Sequence, residues 1–208
     1  MPAELTRADL LRAAGRGGAA LALAGTGLGA FAATAGATPP NSSLGALPAG
    51  DLAYARLLVA MELLTIDFYG HAIGSGHLDR PSADVARLAH TNEQSHYAFL
   101  ARALVTSGQT PLTAADIDFS YPSGAFYTAS SVLDLAITLE TFSMGACLGA
   151  AASVTTPALA GAIAQIAVNE AQHRTVLATA GHADLFQDAF PAPMTIQEAS
   201  NALDAYTS

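Results

Sequence analysis

Apolar residues recur at helical spacing in four long segments of the chain, and Ala and Leu dominate these segments. Both residue types favour helix over strand. The pattern predicts helices over about residues 51–73, 79–108, 130–152 and 156–181, and a shorter helix over about 195–206. The sequence therefore predicts an all-α fold.

Capping and turn residues set the ends of the predicted helices. The predicted N-terminal residues, in chain order, are Asp51, Asp79 or Ser82, Ser130 or Ser131, Thr156 and Thr195. Gly108 and Gly181 follow the second and fourth helices, where glycine commonly ends a helix. Breaker-rich stretches at 74–81 and 153–157 lie between helices, so the helices are expected to pair as two antiparallel hairpins.

The interval from Gln109 to Ala129 contains Pro111, Pro122 and Gly124 and is not predicted to be a continuous helix. A box of Thr113 and Asp116 can cap one short turn within it. About twenty extended residues reach further than a helix of the same count, so this interval can start the third helix from the far end of the bundle. We predict an up-down, crossover, up-down bundle of four helices, with a long crossover between helices two and three and a short C-terminal helix outside.

Small side chains cover part of predicted helix three around Gly145 and Gly149, which permits close approach of another helix. Cys147 lies in the same stretch. Because it is the single cysteine of the chain, an internal disulfide and a thiolate metal cluster are excluded. Its expected role is that of a small buried hydrophobe.

Two copies of an Asn-Glu-x-x-His motif lie in the second and fourth predicted helices, at residues 92–96 and 169–173. A three-residue step returns to the same face of a helix, so each motif can aim one carboxylate and one imidazole at one point. The two pairs are Glu93 with His96 and Glu170 with His173.

A further glutamate lies in the apolar segment before each motif. Glu62 precedes Glu93 by 31 residues, and Glu140 precedes Glu170 by 30. In a helical hairpin, two such side chains reach one level only if the turn falls midway between them. The breaker-rich stretches lie at both midpoints, so the chain is expected to bring the two glutamates and the two motifs to one site.

Four of the six glutamates in the chain occupy these positions, each among apolar residues. Burying four carboxylates without compensation costs far more than a domain of this size can spare. Two divalent cations balance the four charges, and carboxylate with imidazole donors suits iron or manganese. The predicted metal ligands, which are also the predicted catalytic residues, are Glu62, Glu93, His96, Glu140, Glu170 and His173. By symmetry, Glu93 and Glu170 would bridge the ions.

Several neighbouring residues have two interpretations each. A single Glu-x-x-His is more often a solvated surface pair than a pair of ligands. His90 could support a ligand or be an ordinary satisfied histidine. Tyr69 and Tyr97 could be redox-active or pack in the core, and Asn92 and Asn169 could orient neighbouring groups. The histidines expected to be solvated are His71, His77 and His182.

The chain has 208 residues, a formal net charge of −9 and no lysine. A nucleic-acid binder needs the opposite charge balance, so no nucleic-acid partner is expected. The 51% hydrophobic content is enough for one domain with a sizeable hydrophobic core.

Residues 1–37 are typical of an export signal. Three arginines form a basic start, a Gly- and Ala-rich stretch follows, and Ala35-Gly36-Ala37 is a small-x-small cleavage site. The start resembles a twin-arginine signal in which Arg7 is followed by Ala8 instead of a second arginine. We expect an exported, periplasmic or extracellular product that is soluble, because no later run is expected to span a membrane. A retained N-terminal anchor is the alternative.

These features divide the chain into four predicted parts. They are the export signal at 1–37, a Pro/Gly/Ser linker at 38–50, the four-helix bundle at 51–181 and a C-terminal extension with a short helix at 182–208.

The pattern of glutamates and histidines resembles the dinuclear carboxylate site of the ferritin-like superfamily, over residues 51–181. With an export signal ahead of the bundle and a short helix behind it, the chain is most similar to secreted ferritin-like domain proteins of the desiccation-related group. It departs from cage-forming ferritins in its low charge content and its export signal. Manganese catalases and rubrerythrins share the ligand pattern, but this chain has no Cys-x-x-Cys module like that of rubrerythrins.

The resemblance implies a non-haem di-iron or di-manganese protein that oxidises Fe(II) or removes peroxide outside the cytoplasm. Metal ions and O2 or peroxide would be its partners, and two ions held together would supply two electrons. The alternative is a non-catalytic bundle in which a structural metal site serves a stress-protective or interaction role. Either function is compatible with a homo-oligomer.

Overall fold

The computed structural model describes residues 44–185 and 189–207. Its long helices are α1 (Ala49–Gly74), α2 (Arg80–Thr106), α3 (Ala129–Ser153) and α4 (Pro157–Ala180), and the short helix α5 spans Ile196–Asp204. The described residues contain no strand, and Phe119 and Thr207 form an isolated antiparallel bridge. The predicted all-α fold is therefore confirmed. The predicted export signal and most of the linker lie outside the described residues.

The four long helices form two hairpins that enclose one core. α1 packs along α2 and α3 packs along α4, with further contacts between α1 and α3 and between α2 and α4. The turn of the first hairpin contains Gly76 at φ 70°, a conformation that costs glycine little. The crossover contains a short 3₁₀ helix, Ala114–Asp116, which begins at the predicted box of Thr113 and Asp116. Helix register thus brings the middles of all four helices to the same level.

Most of the predicted helix starts agree with the structure. Asp79 caps α2, where its carboxylate accepts a hydrogen bond from the Ser82 backbone N–H at 2.9 Å. Thr156 precedes Pro157 at the start of α4, and Thr195 forms a capping box with Glu198 at the start of α5. The side chains of Asp79 and Thr195 satisfy backbone N–H groups that a helix leaves without partners at its N-terminus, whereas the Thr156 side chain makes no capping hydrogen bond.

The prediction that Asp51 caps the first helix was wrong. α1 begins two residues earlier, with Pro48 at the cap position. The Asp51 carboxylate is buried and accepts hydrogen bonds from the backbone N–H groups of Thr155 and Thr156, each at 2.8 Å. Burial opposes its ionisation, but the hydrogen bonds from Thr156 and Thr155 outweigh burial and lower the pKa of Asp51. Asp51 therefore ties the start of α1 to the turn between α3 and α4.

The third helix, predicted to begin at Ser130 or Ser131, begins one or two residues earlier, at Ala129. Thr128 is the N-cap of α3, and its hydroxyl accepts a hydrogen bond from the Ser131 backbone N–H at 3.1 Å. The Ser131 hydroxyl in turn accepts from the Thr128 backbone N–H at 3.1 Å. Thr128 and Ser131 form one capping box, in which Ser131 occupies the N3 position and Thr128 is the N-cap. Asp134 lies one turn further on and accepts a hydrogen bond from the Ser130 hydroxyl at 3.3 Å.

The apolar character of α1 and α3 comes from their position in the core. Contrary to the expectation that no later run is long and apolar enough to span a membrane, both helices meet that criterion of length and composition. In each helix, however, 61% of the 18-residue apolar segment is buried inside the protein. Packing in the bundle therefore accounts for their apolar side chains.

The small-residue face of α3 lies against an extended segment before α5. The Met194 backbone N–H donates to the Gly145 carbonyl oxygen at 2.9 Å. A Cβ atom on Gly149 would lie only 1.7 Å from the Met194 carbonyl oxygen. This face thus admits the backbone of the C-terminal segment. α5 then buries Ala199 and Leu203 on the outside of the bundle, against α1 and α3.

Candidate metal centre

The candidate ligands lie midway along the four long helices. α1 carries Glu62, α2 carries Glu93 and His96, α3 carries Glu140, and α4 carries Glu170 and His173. Within each motif, the three-residue spacing places the carboxylate and the imidazole on the same face of the helix. The two hairpin turns place Glu62 and Glu140 at the same height in the bundle as the motif of their own hairpin. The structure therefore brings all six side chains named from the sequence into one site.

All four carboxylates of this site are removed from solvent. Glu93, Glu140 and Glu170 have no exposed surface, and Glu62 is 3% exposed. The imidazoles form the more accessible edge, with 14% of the His96 side chain exposed and 7% of the His173 side chain exposed. Four carboxylates at such depth need positive charge close by.

The first half of the site is arranged around His96. Its Nδ1 atom lies 3.1 Å from Glu170 Oε1, 3.3 Å from Glu93 Oε2 and 3.6 Å from Glu62 Oε2. One ring nitrogen thus faces one oxygen from each of three helices: α1, α2 itself and α4.

The second half is arranged in the same way around His173. Its Nδ1 atom lies 3.0 Å from Glu93 Oε1, 3.4 Å from Glu140 Oε1 and 3.4 Å from Glu170 Oε2. Glu93 and Glu170 therefore each point one oxygen at His96 and the other oxygen at His173. A carboxylate that divides its oxygens in this way has the geometry needed to bridge two ions.

This arrangement forms two groups of ligand atoms, and each group is compact enough for one metal ion. In each group the ligand atoms all lie within 4.8 Å of one another. One group consists of Glu62, Glu93, His96 and Glu170, and the other of Glu93, Glu140, Glu170 and His173. Glu93 and Glu170 belong to both groups, which agrees with the bridging role predicted from symmetry.

Buried polar atoms without hydrogen-bond partners cluster at this point. Among the described residues they are Glu93 Oε1, Glu140 Oε2, both Glu170 carboxylate oxygens and His173 Nδ1. Buried polar atoms in native proteins are nearly always paired, so a cluster of lone pairs aimed at one point indicates a cation. Oxygen and imidazole donors in this ratio fit iron or manganese. The residues present therefore fit a metal centre, and the protein has a buried carboxylate and histidine cluster that can bind metal.

The protonation of the metal-free site follows from burial and from the two imidazoles. Burial raises the pKa of Glu62 and of Glu140 well above the ordinary glutamate value. Burial acts in the same direction on Glu93 and Glu170, but the close imidazoles of His173 and His96 outweigh it and lower the pKa of both.

The pKa values of the imidazoles also depart from their ordinary values. Desolvation alone would lower the pKa of His96 and His173, but the charge of Glu62 beside His96, the charge of Glu140 beside His173 and the other nearby carboxylates raise both pKa values. In the metal-free site these shifts favour protons on the imidazoles and oppose loss of the protons of Glu62 and Glu140. A metal ion has to displace these protons, which links metal binding to pH.

Asn92 and Asn169, which share the repeat, make different contacts. The Asn92 side-chain amide lies 3.0 Å from Nε2 of His173, on the opposite hairpin. It can thus hold the ring of that candidate ligand in place from its outer nitrogen. Asn169 instead donates to Gln172 Oε1 at 3.5 Å.

The structure also shows the surroundings of Tyr69, Tyr97 and Cys147. The Tyr69 hydroxyl donates to Glu140 Oε1, so this buried tyrosine touches the site. The Tyr97 hydroxyl donates to the Leu112 carbonyl oxygen at 2.9 Å, on the crossover. Cys147 is fully buried, as expected, and burial raises the pKa of its thiol, which therefore stays protonated.

The other histidines lie outside the cluster. His71, His77 and His182 are exposed, as expected, and His90 is half-buried. Among the polar contacts that sequence reasoning missed is the hydrogen bond of 2.8 Å from the Tyr121 hydroxyl to Asp67 Oδ2. It joins the crossover to α1, and no local pattern pairs residues so far apart in the chain.

Comparisons with known proteins agree with this architecture. A family model described as ferritin-like domain matches residues 50–182. The matched span is more than half of the chain and contains all six candidate ligands. A search of curated proteins found no match. The family match, the helical bundle and the carboxylate and histidine cluster all point the same way, and the chain belongs to the ferritin-like domain family.

Proposed function

We propose that the protein is a dinuclear non-haem metal protein that oxidises Fe(II) or removes peroxide outside the cytoplasm. The observation that carries this proposal is the division of the Glu93 and Glu170 oxygens between His96 and His173. A structural site for one ion needs no such sharing. Two ions held side by side supply two electrons together when bound, which matches the needs of a two-electron oxidant.

The residues of the site have separate tasks in this proposal. Glu62 with His96 and Glu140 with His173 would each complete the ligands of one ion, and the shared Glu93 and Glu170 would contribute to both. The surrounding apolar core excludes bulk water, which strengthens electrostatic interactions inside the site. Asn92 keeps the His173 ring in position through its outer nitrogen.

The reaction balances with Fe(II) as the substrate. Two Fe(II) ions lose one electron each, and hydrogen peroxide accepts both electrons with two protons to give two molecules of water. The exposed edge of His96 is the most open part of the site, so it is the side from which small ions and peroxide would reach the ligands. Iron, or manganese in its place, is the proposed metal.

The test is a single-turnover oxidation. Protein is loaded anaerobically with Fe(II), one pulse of peroxide is added, and formation of Fe(III) is followed by absorbance. The double variant Glu93→Gln with Glu170→Gln should lose both tight metal binding and oxidation. Glu198→Gln is the matched control, because Glu198 is exposed and glutamine is also accepted at its position in a capping box. Tight binding of metal to wild type without any oxidation would favour the non-catalytic alternative.

We also propose export, which rests on the sequence of residues 1–37. The full chain expressed with this segment should appear outside the cytoplasm, with its N-terminus cut near Ala37. Replacing Arg7 should impair export if the twin-arginine resemblance holds. Cytoplasmic protein with an intact N-terminus would contradict the proposal. A closer relation to the desiccation-related group likewise remains a prediction.

A further inference from the structure

A series of aromatic rings connects the metal centre with the protein surface. Tyr69 touches Glu140 through its hydroxyl, and its ring meets Phe68 with ring centroids 5.2 Å apart. Phe68 in turn lies 6.1 Å from the ring of Tyr121 and 5.8 Å from that of Phe126. Three ring systems in sequence therefore lead from a candidate ligand on α3, through α1, to the crossover.

Exposure rises along this series. Tyr69 is 1% exposed and Phe68 is fully buried. Tyr121 is half-buried, and the neighbouring His71 side chain, whose ring centroid lies 6.0 Å from that of Tyr121, is 60% exposed. The series thus begins inside the core and ends at the surface.

Both tyrosines of the series donate their hydroxyl to a carboxylate. Tyr69 donates to Glu140, and Tyr121 donates to Asp67 Oδ2 at 2.8 Å. A tyrosine gives up an electron readily only if its phenolic proton can leave at the same time, and a carboxylate in hydrogen-bond contact can receive that proton. Phe68 has no such proton, and it provides the ring contact between the two hydroxyl-bearing rings.

The buried site creates a need for such a path. Its carboxylates are at most 3% exposed, so an organic donor larger than a few atoms cannot touch them directly. The chain carries no Cys-x-x-Cys module that could bring electrons from within. When an organic donor replaces Fe(II) as the source of electrons, it has to supply two electrons for each molecule of peroxide.

We infer that Tyr69, Phe68 and Tyr121 form an electron relay, through which a one-electron donor at the surface beside Tyr121 supplies the metal centre. The inference rests on the proposed function. In each step Tyr121 loses one electron towards the site and its phenolic proton to Asp67. The donor then returns one electron to Tyr121, and the proton returns from Asp67. Two donor molecules, oxidised by one electron each, and two protons from solvent convert one hydrogen peroxide into two molecules of water.

The experiment compares three proteins as full chains: wild type, Tyr121→Phe and Tyr127→Phe. Phenylalanine keeps the ring of Tyr121 and removes only the hydroxyl. Tyr127 is the matched control, because it lies on the same crossover and is 75% exposed. The donor is tetramethyl-p-phenylenediamine, whose one-electron oxidation gives a coloured product.

Two assays separate the relay from the proposed function. Single-turnover oxidation of bound Fe(II) by peroxide uses electrons already at the site, so it should be the same in all three proteins. Oxidation of the diamine during repeated peroxide turnover should fall by about tenfold or more in Tyr121→Phe and remain unchanged in Tyr127→Phe.

A third readout does not depend on activity. A nitroso spin trap is present during the peroxide pulse, and adducts are located by peptide mass spectrometry. We expect an adduct on Tyr121 in wild type, and its loss when Tyr69→Phe interrupts the relay. Equal labelling of Tyr127 would indicate unspecific surface oxidation and would overturn the relay.

The outcomes distinguish the two proposals. Undiminished diamine oxidation in Tyr121→Phe, with normal single turnover, overturns the relay alone. Absence of single-turnover oxidation in wild type overturns the proposed function, and the relay with it.

Discussion

Replacing a shared glutamate and replacing an unshared one should affect metal binding differently. Glu93 belongs to both groups of ligands, whereas Glu62 belongs only to the group that contains His96. Glu62→Gln therefore leaves the other group with all four of its ligands, and Glu93→Gln leaves neither group complete. We expect one tightly bound ion per chain in the first variant and no ion with wild-type affinity in the second.

The size of the effect follows from the linkage between binding and folding. An ion present at 100 times its dissociation constant stabilises the folded protein by about 2.7 kcal/mol, so two ions add about 5 kcal/mol. In a domain of roughly 150–250 residues, 1 kcal/mol shifts Tm by about 2–4 °C. Metal should therefore raise the Tm of wild type by roughly 10–20 °C. The rise should be about half as large in Glu62→Gln and much smaller in Glu93→Gln.

The assay combines thermal melts with and without Mn(II) and a calorimetric titration that gives the number of ions bound. Glu198→Gln controls for the loss of a glutamate outside the site. Equal losses of stabilisation in Glu62→Gln and Glu93→Gln would refute the conclusion that Glu93 is shared. A wild-type shift in Glu93→Gln would refute its assignment as a ligand.

Three further predictions concern stability. Gly149→Ala should destabilise the protein by about 1–3 kcal/mol in urea denaturation, because its Cβ would overlap the Met194 carbonyl oxygen; Gly161→Ala, with open space around its Cβ, should be neutral or stabilising. Asp51→Asn should cost about 1–3 kcal/mol, because an amide cannot accept both backbone hydrogen bonds of the α3–α4 turn; a melt within error of wild type would contradict this. In metal-free protein the raised pKa values of Glu62 and Glu140 favour the protonated folded state, so the free energy of unfolding should fall as pH rises above about 4.5, and a flat profile would count against it.

The positions of the candidate ligands could be predicted because they depend on local and repeated features. Helical spacing places Glu93 and His96 on one face, and it does the same for the second motif. The hairpin turns lie midway between the paired glutamates, so register follows from chain length alone. Caps such as Asp79 are local as well, because a cap bonds to a backbone group three residues away.

Contacts between distant parts of the chain could not be predicted in this way. Asp51 in the first turn of a helix is a reasonable cap by local criteria, yet its partners in the structure are Thr155 and Thr156, more than 100 residues later. Small residues on α3 showed that something approaches closely, but the approaching element is the backbone at Met194 rather than a helix. In both cases the sequence marks one side of the contact, and only the fold supplies the other side.

The internal repeat gives the two halves of the site the same kinds of ligand, but the residues that contact these ligands differ between the halves. Tyr69 lies seven residues after Glu62 and donates to Glu140, whereas the corresponding position seven residues after Glu140 holds Cys147, a weak donor. Asn92 holds the outer nitrogen of His173, whereas its counterpart Asn169 turns to Gln172. Both extra contacts fix the half of the site that contains Glu140 and His173, and the half that contains His96 is more exposed. An ion leaves most easily where its ligands can move and water can enter. The ion beside His96 should therefore exchange with solution faster than the ion beside His173, although each position has three carboxylates and one imidazole.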